Sequence, residues 1–371
     1  MTRAWGRHGS RTILSALAAA FWFAATVNCR LAASESSTGN PPEWPQAKGA
    51  VFALRNTHVA TPVVAFDAKG RDLLDFNCLT RGRAVIGRFY ELVCDGGSFL
   101  PKGAGTWIGM QVAKSGVFTI EATITPREAQ PKTPAVVLVY GNDTGEDVAL
   151  LQERSGLALR IAKRSPMEVF SVEAGKAIHV VVTCDKDKWT AYRDGKPVTS
   201  GELAAAPTWE IRELRMGARE TGSDPWRGRV EGIAVFPRVL TAEEVAAEAA
   251  VVKALQAGRK PAPTIRFKGT LVRQAKTSAL REIRPYTRSM SAAEYKVEKV
   301  LAGDWKEPTI TVLHWMIMDS KRLPIADRQP GVTVELSVER VEDNPQLERE
   351  RRDEIEGDIA TDLFYCENEN G

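Results

Sequence analysis

Residues able to carry out chemistry are few in this chain and stand apart from one another. The four histidines, His8, His58, His179 and His314, are widely separated in sequence, and a lone histidine in a strand is more often a packed, hydrogen-bonded residue than a base or a ligand. His-Glu-x-x-His, Gly-x-Ser-x-Gly and Gly-x-x-x-x-Gly-Lys-Ser/Thr are all missing, so zinc-protease, hydrolase-elbow and phosphate-loop chemistries lack their usual signatures. The glycine-rich stretch from Gly96 to Gly109 has no Gly-Lys pair; it is expected to be a β-loop and not to open a helix. Retaining glycosidases place two carboxylates about 5 Å apart; in some of them the acids alternate along one strand as Glu-x-Asp-x-x-Glu, and no strand-like segment carries that pattern. Glu121 is the only acid on the strand-like run from Phe118 to Pro126, while Glu354, Glu356 and Asp358 read as the solvated face of a charged helix. No catalytic residue is assigned, and the chain is expected not to be an enzyme.

Binding chemistry has better candidates. Calcium takes six to eight oxygen ligands, several of them from loop Asp, Asn and backbone carbonyls. Gly141-Asn142-Asp143-Thr144-Gly145-Glu146-Asp147 concentrates such oxygens, which makes Asn142, Asp143 and Asp147 the candidate calcium ligands; the competing reading is a polar turn between two strands. The same loop carries an N-glycosylation acceptor, Asn142-Asp143-Thr144, for a host that glycosylates exported proteins. Sugar stacking needs exposed rings. Of Trp107, Tyr140, Tyr192, Trp209 and Trp226, most are expected in the core, and Trp107 and Trp209 beside Gly- or Pro-containing loops are the ligand-binding candidates.

The first forty residues set the compartment. Arg3, Arg7 and Arg11 precede an apolar run from Thr12 to Val27, with small residues at Ala32 and Ala33, the layout of a secretory signal peptide over residues 1–33. A spanning helix needs about 20 apolar residues, so membrane attachment is expected only if this segment stays uncleaved. The location expected is secreted, periplasmic or cell-surface. Cleavage leaves Cys78, Cys94, Cys184 and Cys366. In an oxidising compartment Cys78 pairs with Cys94 as a disulfide, or the thiols stay free in the core; no spacing fits a structural zinc site. Lys plus Arg at 50 against Asp plus Glu at 47 leaves a net charge of +3, too balanced for a polyanion partner, so nucleic acid is not expected.

These candidates need a scaffold, and the pattern between them is mainly β. Ser34 to Gln46 is rich in Ser, Pro, Gly and Asn and reads as part of a flexible lead-in over 34–49. Short apolar runs separated by Gly, Pro, Asn and Asp then follow at spacings that suit a β-sandwich. Ala177 to Cys184 and Trp189 to Arg193 read as strands, and Asp194-Gly195 supplies the positive φ of a two-residue hairpin turn. Thr241 with Glu244 forms a capping box ahead of a stripe at Val245, Ala249, Val252 and Leu255, and Gly258, Pro261 and Pro263 mark a linker over 257–263. A second unit over 264–371 contains the alternating strand Val332 to Glu339, two more strands at 295–301 and 310–315, and a charged helix from Asn344-Pro345 to about Glu356.

The order of these signals resembles the laminin G-like, concanavalin A-like jelly-roll family over roughly residues 50–256. The resemblance lies in the hairpin Tyr192-x-Asp194-Gly195, a strand ending at Gly217, the segment Trp226-x-Gly228-x-Val230-Glu231, the helix start Leu240-Thr241-x-x-Glu244, and a long central strand from Phe118 to Pro126. It implies a jelly-roll sandwich that binds a glycan or an extracellular protein through its edge loops, in some relatives with one calcium ion. The second unit resembles a small OB- or netrin-like barrel through Tyr295-x-Val297-x-x-Val300-Leu301-x-Gly303. The fold expected is therefore mainly β, a jelly roll followed by a smaller β domain with a C-terminal helix. The function expected is non-catalytic recognition or adhesion. The alternatives are a structural, assembly role in the cell envelope and a polysaccharide-acting enzyme.

Overall fold

The computed structural model describes residues 43–54, 63–66, 72–75, 77–142, 145–162, 165–203, 207–209, 213–355 and 362–367. The leader expected over 1–33 lies outside these residues. Two antiparallel sheets pack face to face. One runs, in spatial order, Lys196–Glu202, Lys188–Arg193, Ile178–Asp185, Phe118–Pro126, Arg227–Phe236, Phe52–Leu54, Val63–Phe66 and Asp72–Asp75, with Leu92–Asp95 also on Arg227–Phe236 and Ala84–Ile86 on Leu92–Asp95. The other runs Met167–Ser171, Gly156–Ile161, Gly145–Glu153, Ala135–Asn142, Glu213–Met216, Ser98–Pro101 and Cys78–Arg81.

Side-chain alternation decides what lies between them. Phe118, Ala122 and Ile124 point inward with Val180, Val182, Ile233 and Val235 and meet Val137, Tyr140, Leu157 and Leu159 of the facing sheet. Trp226 is buried in this core and its indole N–H donates to Gln152 Oε1 at 2.7 Å. The hairpin turn expected at Asp194-Gly195 is present, with φ of 50° and 81°. The opposite face of the first sheet is covered by helix α2, described below, and by residues 43–50. That segment is packed down where a flexible lead-in was expected: Trp44 is buried against Gly232, whose missing Cβ would lie 2.9 Å from the Trp44 ring.

Two helices are present among the described residues. Helix α1, Ala104–Val112, begins within the glycine-rich stretch expected to be a loop and runs past its end at Gly109. Its glycines disfavour helix, but Gly105 and Gly109 are themselves buried, and Ile108 and Val112 pack into the sandwich core. Packing outweighs propensity there. Helix α2, Ala242–Ala257, has the expected capping box of Thr241 and Glu244.

From Thr264 a second β unit closes on itself. Thr264–Gln274 pairs with Ser289–Ala302, that with Thr309–Met318, that in parallel with Leu363–Tyr365, that with Thr333–Arg340, and Thr333–Arg340 again with Thr264–Gln274. The result is a five-stranded barrel filled by Phe267, Leu271, Tyr295, Val312, Val338 and Phe364. The C-terminal helix expected from Asn344 does not form. Asn344 donates backward to the Arg340 carbonyl at 2.9 Å instead of capping forward, a short 3-10 turn covers Pro345–Leu347, and Arg352–Asp353 pairs in parallel with Ser289–Ala302. Asp353 accepts from the Ser278 N–H at 2.9 Å, so tertiary contacts hold the segment extended.

Candidate functional site

The rings singled out from sequence are occupied with packing. Trp209 is buried, edge-on to Phe118 at 4.7 Å between centroids and 5.1 Å from Tyr140. It offers no face to a ligand. Trp107 lies on α1, half-buried against the core, with its indole N–H given to the Val51 carbonyl at 2.7 Å. Trp209 is therefore a core residue, while Trp107 is anchored by its indole hydrogen bond and keeps part of its ring at the surface. For calcium, strands end at Asn142 and resume at Gly145, while Asp143 and the side chains of Asn142 and Asp147 lie outside the described residues. Among the described residues no group of three or more His, Cys, Asp or Glu is arranged to hold a metal ion. Cys78 and Cys94 do not form the disulfide weighed from sequence: both are free thiols, on strands of different sheets. Burial pushes the Cys78 thiol up to about 12 against the pull of Arg288, and raises Cys94 as well.

The scattered acids and histidines meet in one unexpected place. On the outer face of the first sheet, Val181 lies opposite Glu121 and His179 opposite Thr123, which brings Glu121 and His179 side by side. His179 Nε2 is 2.7 Å from Glu121 Oε1, and the Trp44 indole donates to the same oxygen at 2.6 Å. Glu248 of α2 accepts from the Ala47 N–H just above. Glu121 Oε2, His179 Nδ1 and Glu248 Oε2 are buried without a hydrogen-bond partner. Glu121 is 0% exposed, Glu248 1% and His179 4%. A substrate cannot reach such a group, so this cluster fastens the 43–50 segment and α2 to the sheet.

A cleft of about 560 Å³ opens instead where sandwich meets barrel, within the size range of small-ligand sites. The sandwich contributes the edge strand Cys78–Arg81 and the turn carrying Tyr90. The barrel contributes the loop between its first and second strands, Pro285 to Arg288, the hairpin tip at Asp319, and Pro345 to Glu350 between its fourth and fifth strands.

Each wall is set by backbone that local sequence makes unusual. Tyr90 has φ of 60°, a left-handed conformation that costs energy for a residue with a ring. The turn holds it: the Tyr90 N–H donates to the Gly87 carbonyl at 2.9 Å, and the Gly87 N–H to the Glu91 carbonyl at 2.8 Å. Asp319 and Ser320, at φ of 49° and 56°, form the tight turn between Thr309–Met318 and Lys321–Arg322. That turn aims Asp319 at Arg81, 3.3 Å away, and at the Gly82 N–H, 3.2 Å away. Glu350 grips Arg288 through both carboxylate oxygens, one at 2.9 Å, and the Arg288 guanidinium lies 5.6 Å from the centre of the Trp315 ring. Burial raises the Glu350 carboxyl although Arg288 opposes it. Tyr286 stands 56% exposed at the rim. Two tyrosine rings, paired charges and small polar groups can hold a polar ligand with apolar faces.

Residues 104–246 match the family model of the concanavalin A-like lectin/glucanases superfamily, so the jelly-roll resemblance holds over the centre of the sandwich. No curated protein matches the chain. Among solved structures, a mutant Trypanosoma rangeli sialidase displaying trans-sialidase activity is 19% identical with a TM-score of 0.42, over 57% of this chain and 34% of its own. The binding domain of botulinum neurotoxin serotype D/C is 9% identical with a TM-score of 0.44, over 79% and 74%. Domain 4 of AbnA, a GH43 extracellular arabinanase from Geobacillus stearothermophilus solved with arabinotriose, is 11% identical with a TM-score of 0.39, over 54% and 98%. This chain spans about a third of the length of the sialidase chains it matches. At such scores the likeness carries no chemistry across.

Proposed function

We propose that the protein is an exported, non-catalytic recognition protein that binds a glycan in the cleft between its sandwich and its barrel. The observation that carries this reading is the cleft itself, with Tyr90 from one domain and the exposed Tyr286 from the other on its walls. Sugar rings present apolar C–H faces that stack on aromatic rings, and their hydroxyls pair with planar polar side chains. The lectin/glucanase fold matched over residues 104–246 supports a saccharide as ligand. So does the barrel: small five-stranded barrels bind oligosaccharides and oligonucleotides through the loops joining strands one to two and four to five, the two loops that line this cleft.

The non-catalytic part of the reading is supported by how the cleft's acids are used. Hydrolysis of a glycosidic bond needs one carboxyl free to donate a proton and a second free to act as nucleophile or base. Asp319 is committed to Arg81 and Gly82, and Glu350 to Arg288, which leaves Glu348 without a second uncommitted carboxyl beside it in the cleft. Export is supported by the arginines and the apolar run ahead of Ala33. The test is a broad glycan array probed with residues 34–371, with calcium and with chelator. Selective, saturable binding that falls in Tyr286→Ala at unchanged melting temperature, with the sugar recovered intact, is the expected result. No binding in either condition overturns the glycan reading in favour of protein assembly, and cleaved sugar overturns the non-catalytic one.

A further inference from the structure

The charges around the cleft point to a narrower class of ligand. Three arginines, Arg81, Arg288 and Arg349, face three carboxylates, Asp319, Glu348 and Glu350. Two of the arginines are already spent within the wall: Arg81 on Asp319 at 3.3 Å, and Arg288 on Glu350 through both oxygens. An anionic ligand that reached Arg288 would have to pull it from Glu350 and leave that carboxylate unpaired beside it, a costly step for a pair this buried. The Arg81–Asp319 pair is more exposed and opens more cheaply, but opening it leaves Asp319 facing the ligand. Glu350, at 14% side-chain exposure, is the costlier of the two to strip. The remaining charged residues, Glu348 and Arg349, are of opposite sign, so together they add no net charge to the walls.

What the walls do offer is uncharged. Tyr90, Tyr286, Thr80 and Thr287 carry hydroxyls that both donate and accept, and Asn77 and Gln346 carry amides that do the same. Pro285, Pro345 and Ile86 lie among them as apolar surface. Donors and acceptors interleaved with apolar patches, without surplus charge, complement a neutral polyhydroxylated chain. Resting on the glycan reading of the cleft, we infer that its ligand is a neutral oligosaccharide, held by stacking on Tyr286 and Tyr90 and by hydroxyl pairing, and that uronate-bearing, sialylated and sulfated glycans are disfavoured by walls whose positive charges are matched one for one by carboxylates.

The deciding experiment is isothermal titration of the full chain with two panels. One holds neutral gluco-, xylo-, manno- and arabino-oligosaccharides; the other holds oligogalacturonate, a sialylated and a sulfated oligosaccharide. Each is run at roughly 0.05 M and 0.5 M salt, on either side of the physiological screening length. The expected result is binding from the neutral panel whose Kd moves less than about twofold with salt, weakened about tenfold in Tyr286→Ala and retained in Tyr286→Phe. Tyr286 is more than half exposed, so both variants are expected to fold with the parent's melting temperature. Binding confined to the acidic panel and fading with salt overturns the neutral-ligand inference and leaves the glycan reading standing. Silence from both panels overturns both.

Discussion

Burial lifts the Glu248 carboxyl to about 7, the charge of Glu121 adds to the rise, and the N–H groups of Ala47 and Gln46 oppose it. The folded state therefore keeps a proton that the unfolded chain releases near 4.5. Stability from this group is full below that value and is lost as pH climbs through 7. His314 pulls the other way: burial, helped by Arg328, holds it down to about 3, so its contribution is lost as pH falls below 6.5. The two slopes offset each other between about 4.5 and 6.5. Denaturant unfolding at pH 5, 6.5 and 8 is expected to show a loss from pH 6.5 to 8 that Glu248→Gln removes, while from pH 5 to 6.5, where the parent is nearly flat, the variant gains stability as the His314 slope is uncovered. A Glu248→Gln variant as pH-sensitive as the parent above pH 6.5 would place that dependence elsewhere. That His179 is a packed, hydrogen-bonded residue was legible in its strand setting; that its partner is Glu121 was not, because nothing local says which strands pair.

Local signals served well where the local structure is self-contained. The α2 cap is written in four residues: Thr241 Oγ1 accepts the Glu244 N–H at 3.2 Å, Glu244 accepts the Thr241 N–H at 2.9 Å, and Arg238 holds Glu244 from outside the helix at 2.7 and 2.8 Å. Thr241→Ala is expected to cost about 1 kcal/mol, read as a shift of the unfolding midpoint with unchanged denaturant slope. Thr241→Ser should recover most of it, and an alanine variant as stable as the parent would mean that Arg238 and Glu244 alone set the helix start. The Asp194-Gly195 hairpin was legible for the same reason. Helix α1 and the stretch after Asn344 were not, since each is decided by partners far away in sequence. Gly105 and Gly109 are buried against the sandwich, and Arg351, whose carbonyl accepts the Met290 N–H at 2.9 Å, is drawn into the barrel's edge.

At the scale of the whole molecule, the cleft exists because sandwich and barrel share a core. Val85 and Val93 of the sandwich pack with Met290, Leu313, Trp315, Met318, Leu347 and Tyr365 in one apolar cluster. The sequence shows two units joined by a linker; it does not show that their faces match, because each apolar residue at the seam fits the pattern of its own domain. For the same reason Tyr90 and Tyr286 could not be placed together by reading either loop. Beside the seam, Arg229 spans the units, donating to Glu91 and, at 2.6 Å, to Glu367. Glu91 is 2% exposed and burial raises Glu367, with Arg229 opposing the rise. Arg229→Met leaves two carboxylates facing each other without their cation. Breaking a buried pair costs about 3 kcal/mol at the low end of the usual range, which applies here because the arginine side chain keeps 34% of its surface in water. The loss should shrink at pH 5, where a carboxylate deprived of its partner takes up a proton that relieves the repulsion. Calorimetry of the parent is expected to show one transition for both domains, shifted down without splitting in Arg229→Met at neutral pH. Two separate transitions in the parent would mean that the seam does not couple the domains, and that the cleft between them opens on its own.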